Sequence, residues 1–302
     1  MFEVCVPATS ANLSCGFDVL GLTLDLFYIV QVEEREGFDI TISHVGEGES
    51  EIPQGEKNIF VQAVRTVWKE AKFSGTGMKA KSRSTIPVKR GLGSSAACVV
   101  AGVTAGNILA GNPFKDDVLM RLATLLEGHP DNVMPAFVGG FVATFLDREK
   151  IYFKKYDFFS DLEMIVCIPP YQLSTGKMRK MLPQCYSRRD VVFNLSRIAH
   201  LVGSVAMCDR EGFFAALEDR VHEPYRGKWI KGYFEVKEFL DTQGLGKVII
   251  SGSGPTLILF LRLPWNSSVE KEIRKIFYAA GVDEIQLKKV SWVNTGVKVV
   301  VS

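Results

Sequence analysis

The segment Arg90-Gly91-Leu92-Gly93-Ser94-Ser95-Ala96-Ala97 sets two glycines and two serines ahead of a run of small and apolar residues. The run predicts a buried helix, and the glycine loop feeds its N-terminus. Such a junction suits an anion, because the first backbone N–H groups of a helix lack intrahelical acceptors and the dipole places positive potential there. Gly91 and Gly93 let the backbone turn sharply and let a phosphate approach without a Cβ in the way. Ser94 and Ser95 add hydroxyls for capping, phosphate or metal. Taken alone, the string is equally a glycine turn whose Ser94 or Ser95 caps a core helix.

A second group, Glu127-Gly128-His129-Pro130-Asp131-Asn132, crowds four polar side chains into one turn, where Gly128 and Pro130 interrupt a regular helix. Carboxylates there suit a hard magnesium ion that also binds phosphate oxygens; one histidine and no cysteine argue against structural zinc. The bland alternative is a solvated helix end. Residues 7–18 form a small, polar segment whose specific groups are Asn12 and Asp18, which serve either a ligand or Asx turns. Lys177, Arg179 and Arg226 are anion handles or ordinary basic surface. Ser251-Gly252-Ser253-Gly254-Pro255 joins two apolar runs, as a loop that closes over a ligand or as a simple hairpin.

Around these groups the pattern predicts strands near 4–6, 24–32, 38–43 and 78–82, with 24–32 and 38–43 as a pair across the charged turn 33–37. Asn58 stands as the N-cap of a helix whose apolar face is Ile59, Phe60, Ala63, Val64, Val67 and Trp68. Helices are expected over 94–110, 115–126, 190–207 and 210–217, and strands over 139–145, 162–168, 247–250, 257–260, 285–288 and 296–301. Ser267 with Glu270 looks like a capping box for a last helix. The charged turn 147–150 is the candidate boundary between a unit at 1–150 and one at 151–302.

Composition narrows the function classes. Hydrophobic residues make up 47% of the 302, enough for a packed core, and a formal net charge of +2 offers no basic field for nucleic acid. The N-terminus lacks a signal-like pattern and no apolar run approaches the roughly 18 residues of a membrane helix, so a cytoplasmic protein without a membrane partner is expected. Six scattered cysteines without a C-x-x-C pair are expected to be reduced. The Walker-type P-loop, the dinucleotide fingerprint and protein-kinase signatures are all missing, so ATP would have to bind by another route.

Segments 7–18, 87–97 and 251–255, in that order, resemble the three motifs of the GHMP kinase superfamily. Within it Pro7-Ala8-Thr9-Ser10-Ala11-Asn12-Leu13, the segments 90–97 and 127–132, and Pro224-Tyr225-Arg226 are similar to those of homoserine kinases. The resemblance implies an α+β fold of two domains: an N-terminal ATP-binding α/β domain of the left-handed type over 1–150, and a ferredoxin-like C-terminal α+β domain over 151–302. It implies ATP-dependent phosphorylation of the L-homoserine hydroxyl on the route to threonine. Asn58, Pro87, Lys89, Arg90, Gly91, Leu92, Gly93, Ser94, Ser95, Ala96 and Ala97 would bind ATP, with Ser95 and Glu127 on magnesium. Asn12 and Asp131 would meet the reacting hydroxyl, Asp18 the ammonium, and Arg179 and Arg226 the carboxylate, with His129 nearby. A homodimer is the implied assembly.

Mevalonate and galactose kinases of this superfamily pair a catalytic aspartate with a lysine or arginine near the first motif, yet 7–18 contains no basic residue. No dedicated strong base is therefore expected, and positioning with electrostatic stabilisation would carry the reaction. Ser14-Cys15 stands where the family usually has glycine and a small residue or proline, and Ser253 replaces a common alanine. The rival readings are another small-molecule kinase of the superfamily and a non-catalytic nucleotide-binding regulator on the same fold.

Overall fold

A computed structural model describes residues 1–301. The chain opens with two long antiparallel strands, β1 (Phe2–Ala11) and β2 (Leu20–Arg35). β1 runs further than expected, because a register shift between Pro7 and Ala8 absorbs the proline and lets pairing continue to Ala11. β3 (Ile40–Gly46), α1 (Ile59–Glu70) and β4 (Gly77–Ser84) follow. β2 and β3 do not form the expected pair: β4 lies between them, antiparallel to β2 and parallel to β3, with α1 as the crossover.

Three helices come next: α2 (Ser94–Leu109), α3 (Asp116–Glu127) and α4 (Pro130–Val138), then the hairpin β5 (Phe141–Asp147) and β6 (Lys150–Tyr156). α4 replaces the turn expected after Glu127. Pro130 suits its first turn and Gly139 follows its end, while Pro135 inside it masks the helical signal in the sequence.

The remainder is β7 (Glu163–Ile168), the helices α5 (Thr175–Lys180), α6 (Arg188–Ala206), α7 (Arg210–Ala216), α8 (Glu223–Arg226) and α9 (Tyr233–Thr242), the hairpin β8 (Gly246–Ile250) and β9 (Leu257–Leu261), α10 (Ser267–Ala279), β10 (Gln286–Val290) and β11 (Lys298–Val301). Asn266, not Ser267, caps α10, its side chain accepting from the N–H groups of Ser268 and Val269.

The strands make two sheets, one ordered β11-β1-β2-β4-β3 with β5 on β2 and β6 on β5, the other β10-β7-β9-β8. The second is antiparallel throughout, and with its helices it has the ferredoxin-like order. β6, which starts at the expected division, pairs within the first sheet, and β11 returns to β1. Among the described residues no helix is long and apolar enough to cross a membrane.

Packing explains the apolar runs. In β7, Met164, Val166 and Ile168 enter the main core while Ile165 and Cys167 join a second cluster with α9 and α10, so both faces are covered. α2 is buried almost throughout and carries the glycine loop at its N-terminus. It is held against α1 backbone to backbone, because a Cβ at Gly102 would stand 2.5 Å from the Phe60 carbonyl oxygen and 2.6 Å from the Ala63 Cβ. Gly102→Ala should part these helices and destabilise the protein by about 1–3 kcal/mol, measured as a lower urea midpoint at unchanged m-value.

Candidate active site

A cavity of about 400 Å³ gathers residues from both halves of the chain. Of the residues singled out by sequence, Asn12, Asp18, Pro87, Lys89, Arg90, Gly91, Leu92, Gly93, Ser94, Ser95, Glu127, His129, Asp131, Arg179 and Arg226 line it. Ala96 and Ala97 belong to the first turn of α2 with their side chains buried in the core. Asn58 caps α1 by accepting the Phe60 N–H, and its Nδ2 donates to the Pro53 carbonyl at 2.9 Å, so it supports the wall formed by Pro53, Lys57 and Ile59. Gly252 and Ser253 of the third motif line the cavity too, and so do Glu51, Ile52 and Thr175, which carried no motif; an apolar Ile52-Pro53 pair in a polar stretch was the one signal available for that wall.

The glycine loop owes its shape to close approach. Gly91 and Gly93 have φ of +81° and +69°; a Cβ on Gly91 would sit 2.2 Å from the Ser251 carbonyl oxygen, and one on Gly93 2.0 Å from Thr9 Oγ1. Gly93 is the N-cap of α2, and no side chain caps the helix. Neither Ser94 nor Ser95 is therefore the cap; both lie in the first turn, whose N–H groups are the ones an anion would take. Ser95 Oγ donates to Glu127 Oε2 at 2.8 Å. Burial raises the Glu127 carboxyl above its usual range, opposed by that hydrogen bond.

His129 and Asp131 sit at the start of α4, and the His129 Nδ1–H donates to Asp131 Oδ1. That bond raises the His129 pKa, with burial opposing it. Asp131 is 1% exposed, and Gly21 of β2 makes room for it: a Cβ there would stand 2.1 Å from the Asp131 carbonyl oxygen. Asn12 Nδ2 donates to the Gly252 carbonyl at 2.6 Å and its Oδ1 accepts the Asp18 N–H at 3.0 Å. Asn12, Leu13, Ser14 and Asp18 all have positive φ, which gives the physical reason for a glycine preference at Ser14.

Two arginines complete the wall. Arg179 grips Asp18 with a fork of two 2.8 Å bonds. Arg226 is 1% exposed, donates from Nη1 to the Gly252 carbonyl at 3.0 Å, and keeps a buried Nε without a partner. Burial lowers its pKa to about 10, so it stays charged. Arg226 lines the cavity, so its guanidinium places a fixed positive charge on that wall.

Cys15 and Cys98 have pKa values raised by burial to about 12, so neither is a reactive thiol at neutral pH. All six cysteines are free, and Cys185 and Cys208 are exposed.

The glycine loop at a helix N-terminus, set between a seven-stranded sheet and a ferredoxin-like unit, defines a GHMP-type kinase. The family model for the GHMP kinases N terminal domain matches residues 58–140. The mevalonate kinase of Methanococcus jannaschii superposes with a TM-score of 0.68 at 14% identity over 97% of this chain and 98% of that one, a likeness of fold. The homoserine kinase of Moorella thermoacetica is 42% identical over 86% of this chain and 87% of its own. The crystal structure of the Cytophaga hutchinsonii homoserine kinase superposes with a TM-score of 0.82 at 27% identity, covering 99% of this chain and 97% of that one. The chain belongs to the homoserine kinase family.

The His129–Asp131 bond has a measurable consequence. Because the folded pKa is raised, the pair's contribution to stability is full below the ordinary value of 6.5 and is lost as pH rises through the folded value. A nitrogen-15 NMR titration should place His129 above 6.5, and Asp131→Asn should bring it down, since burial then acts with less opposition.

Proposed function

We propose that the protein transfers the terminal phosphoryl group of ATP to the side-chain hydroxyl of L-homoserine, forming O-phospho-L-homoserine for threonine biosynthesis. The observation that carries this reading is the meeting in one cavity of an anion-binding helix start, the Asn12 and Asp131 amides and oxygens, and the charged set Asp18, Arg179 and Arg226. An amino acid needs an anion for its ammonium and guanidiniums for its carboxylate. Homoserine set between Asp18 and Arg179 would exchange their mutual fork for bonds of its own, while Arg226 adds the charge of its guanidinium to the cavity wall. Mevalonate carries a carboxylate but no ammonium, and sugars carry neither, so Asp18 together with the two arginines favours homoserine over the other substrates of the superfamily.

The phosphate chain of ATP fits the loop 90–95, with its base against the apolar wall of Ile52, Pro53 and Ile59. Ser95 and Glu127 are two oxygen donors already 2.8 Å apart beside that loop, a set that fits magnesium shared with phosphate oxygens. Among the described residues no group of three or more His, Cys, Asp or Glu would hold a metal unaided, in keeping with a nucleotide-borne ion. When bound, magnesium supplies charge neutralisation on the phosphates. The nucleotide-binding role falls to 1–150 and the closing role to 151–302, with the enzyme cytoplasmic and a homodimer.

Asp131 orients the hydroxyl. An aspartate that already accepts a hydrogen bond from a histidine is a weak base and a good hydrogen-bond acceptor, and Asn12, fixed at both ends of its amide, presents its remaining N–H. Phosphoryl transfer through a loose transition state needs little more from the protein than alignment and charge stabilisation. Asp131→Asn should therefore leave measurable turnover, with kcat lowered by less than about 100-fold; complete loss with intact ATP and homoserine affinities would show that Asp131 is an essential base.

The reading is tested by ADP release with magnesium and ATP against L-homoserine, L-threonine, L-serine, mevalonate, shikimate and galactose. Turnover confined largely to homoserine, abolished by EDTA and restored by magnesium, is expected. Preference for galactose would keep the kinase and discard the carboxylate roles of Arg179 and Arg226, whereas preference for mevalonate or shikimate would discard the ammonium role of Asp18. ATP binding without turnover would favour the regulator.

A further inference from the structure

Phe17 stands between Gly16 and Asp18 in the first loop, and its ring meets three charged or polar partners. Arg226 lies with its guanidinium carbon 5.1 Å from the ring centroid and Arg179 with its own at 5.6 Å. The His222 imidazole stacks on the same ring at 5.4 Å and 27°. Arg179 comes from α5 and Arg226 from α8, 47 positions apart in the chain, so the ring is their shared support.

The two guanidiniums repel each other, and the Arg179 charge helps to lower the Arg226 pKa. One carboxylate, Asp18, is forked to Arg179 alone. The face of an aromatic ring attracts cations without using up their N–H groups, so Phe17 draws both arginines together while leaving donors for a carboxylate.

The ring itself is held from behind. His222 is fully buried; its Nε2–H donates to the Ser14 carbonyl at 2.8 Å, and its backbone N–H donates to Asp219 Oδ2 at 2.7 Å. Burial keeps the imidazole neutral, so no third positive charge enters the cluster. Glu223 ties the same parts together, accepting the Ser14 hydroxyl at 3.4 Å and the Ile250 N–H at 3.0 Å.

We propose that Phe17, backed by His222, is a positioning residue that aligns Arg179 and Arg226 for the substrate carboxylate. The idea rests on the homoserine kinase reading. Ordinary core packing is the competing account, but Phe17 is only half-buried, belongs to neither hydrophobic cluster, and carries two guanidiniums over its ring.

Steady-state kinetics in both substrates test it. Phe17→Leu should raise the KM for homoserine about tenfold with the KM for ATP unchanged, and Phe17→Tyr, which keeps the aromatic face, should restore it to within about twofold. In an Arg179→Ala background the further effect of Phe17→Leu should shrink, because the two changes remove one contact. Pentafluorophenylalanine at position 17 keeps the shape and inverts the quadrupole, so it answers even if the leucine variant fails to fold: homoserine KM should again rise. An unchanged homoserine KM in that protein, an equal rise in both KM values, or full additivity with Arg179→Ala would overturn the proposal. Absence of homoserine turnover in the unmodified protein would instead overturn the substrate reading, and the two failures are thus distinct.

Discussion

Everything at the site depends on three loops pressed together backbone to backbone. The Thr9 N–H donates to the Leu92 carbonyl at 3.2 Å, the Gly252 N–H to the Ala11 carbonyl at 3.0 Å, and the Thr256 N–H to the Arg90 carbonyl at 3.3 Å. Ser251 Oγ adds bonds to Ser10 Oγ and to the Gly91 carbonyl. Contact this close is tolerated only where a side chain is missing, as at Gly91 and Gly93. The same knot fixes the Gly252 carbonyl, on which Asn12 and Arg226 both converge. The glycine loop, Asn12 and Arg226 are therefore tied into one hydrogen-bonded arrangement.

Burial then sets the charge states. Glu127 is pushed up by desolvation, Arg226 is pushed down yet remains a cation, and His129 is held up by Asp131. Glu223, wholly enclosed, is raised to about 7 by burial, and its two oxygens accept from Ser14 and Ile250. Glu127 and His129 each have a hydrogen-bond partner, Arg226 holds the Gly252 carbonyl, and its Nε is buried without a partner.

The relation between chain and fold differs from one element to another. α1 and α2 were legible because an amphipathic stripe and a wholly apolar run are local patterns. α4 was not, since two prolines and flanking glycines look like a turn until the packing on β1 and β2 makes a short helix the better solution. The pairing of β3 with β4 was also hidden: alternation tells which face of a strand is buried but not which neighbour it takes. Asn266 displaced Ser267 as a cap by one residue, a difference that local chemistry alone does not decide.

At the site, the amino-acid sequence by itself determined the glycine loop, the acidic turn and the residue types able to bind an amino acid, because each is a short string with a chemical requirement. The tertiary structure alone decided that they share one cavity. It also turned several solitary side chains into pairs: Asp18 with Arg179, Ser95 with Glu127, and Phe17 with His222. Asn58 shows the converse, a residue whose type predicted the cap of α1 that the structure shows, and whose amide also holds Pro53. The physical reason is range. Helix caps and turns are settled by neighbours a few residues away, whereas contacts across 161 or 205 positions arise only when the two sheets and their helices bury a common core.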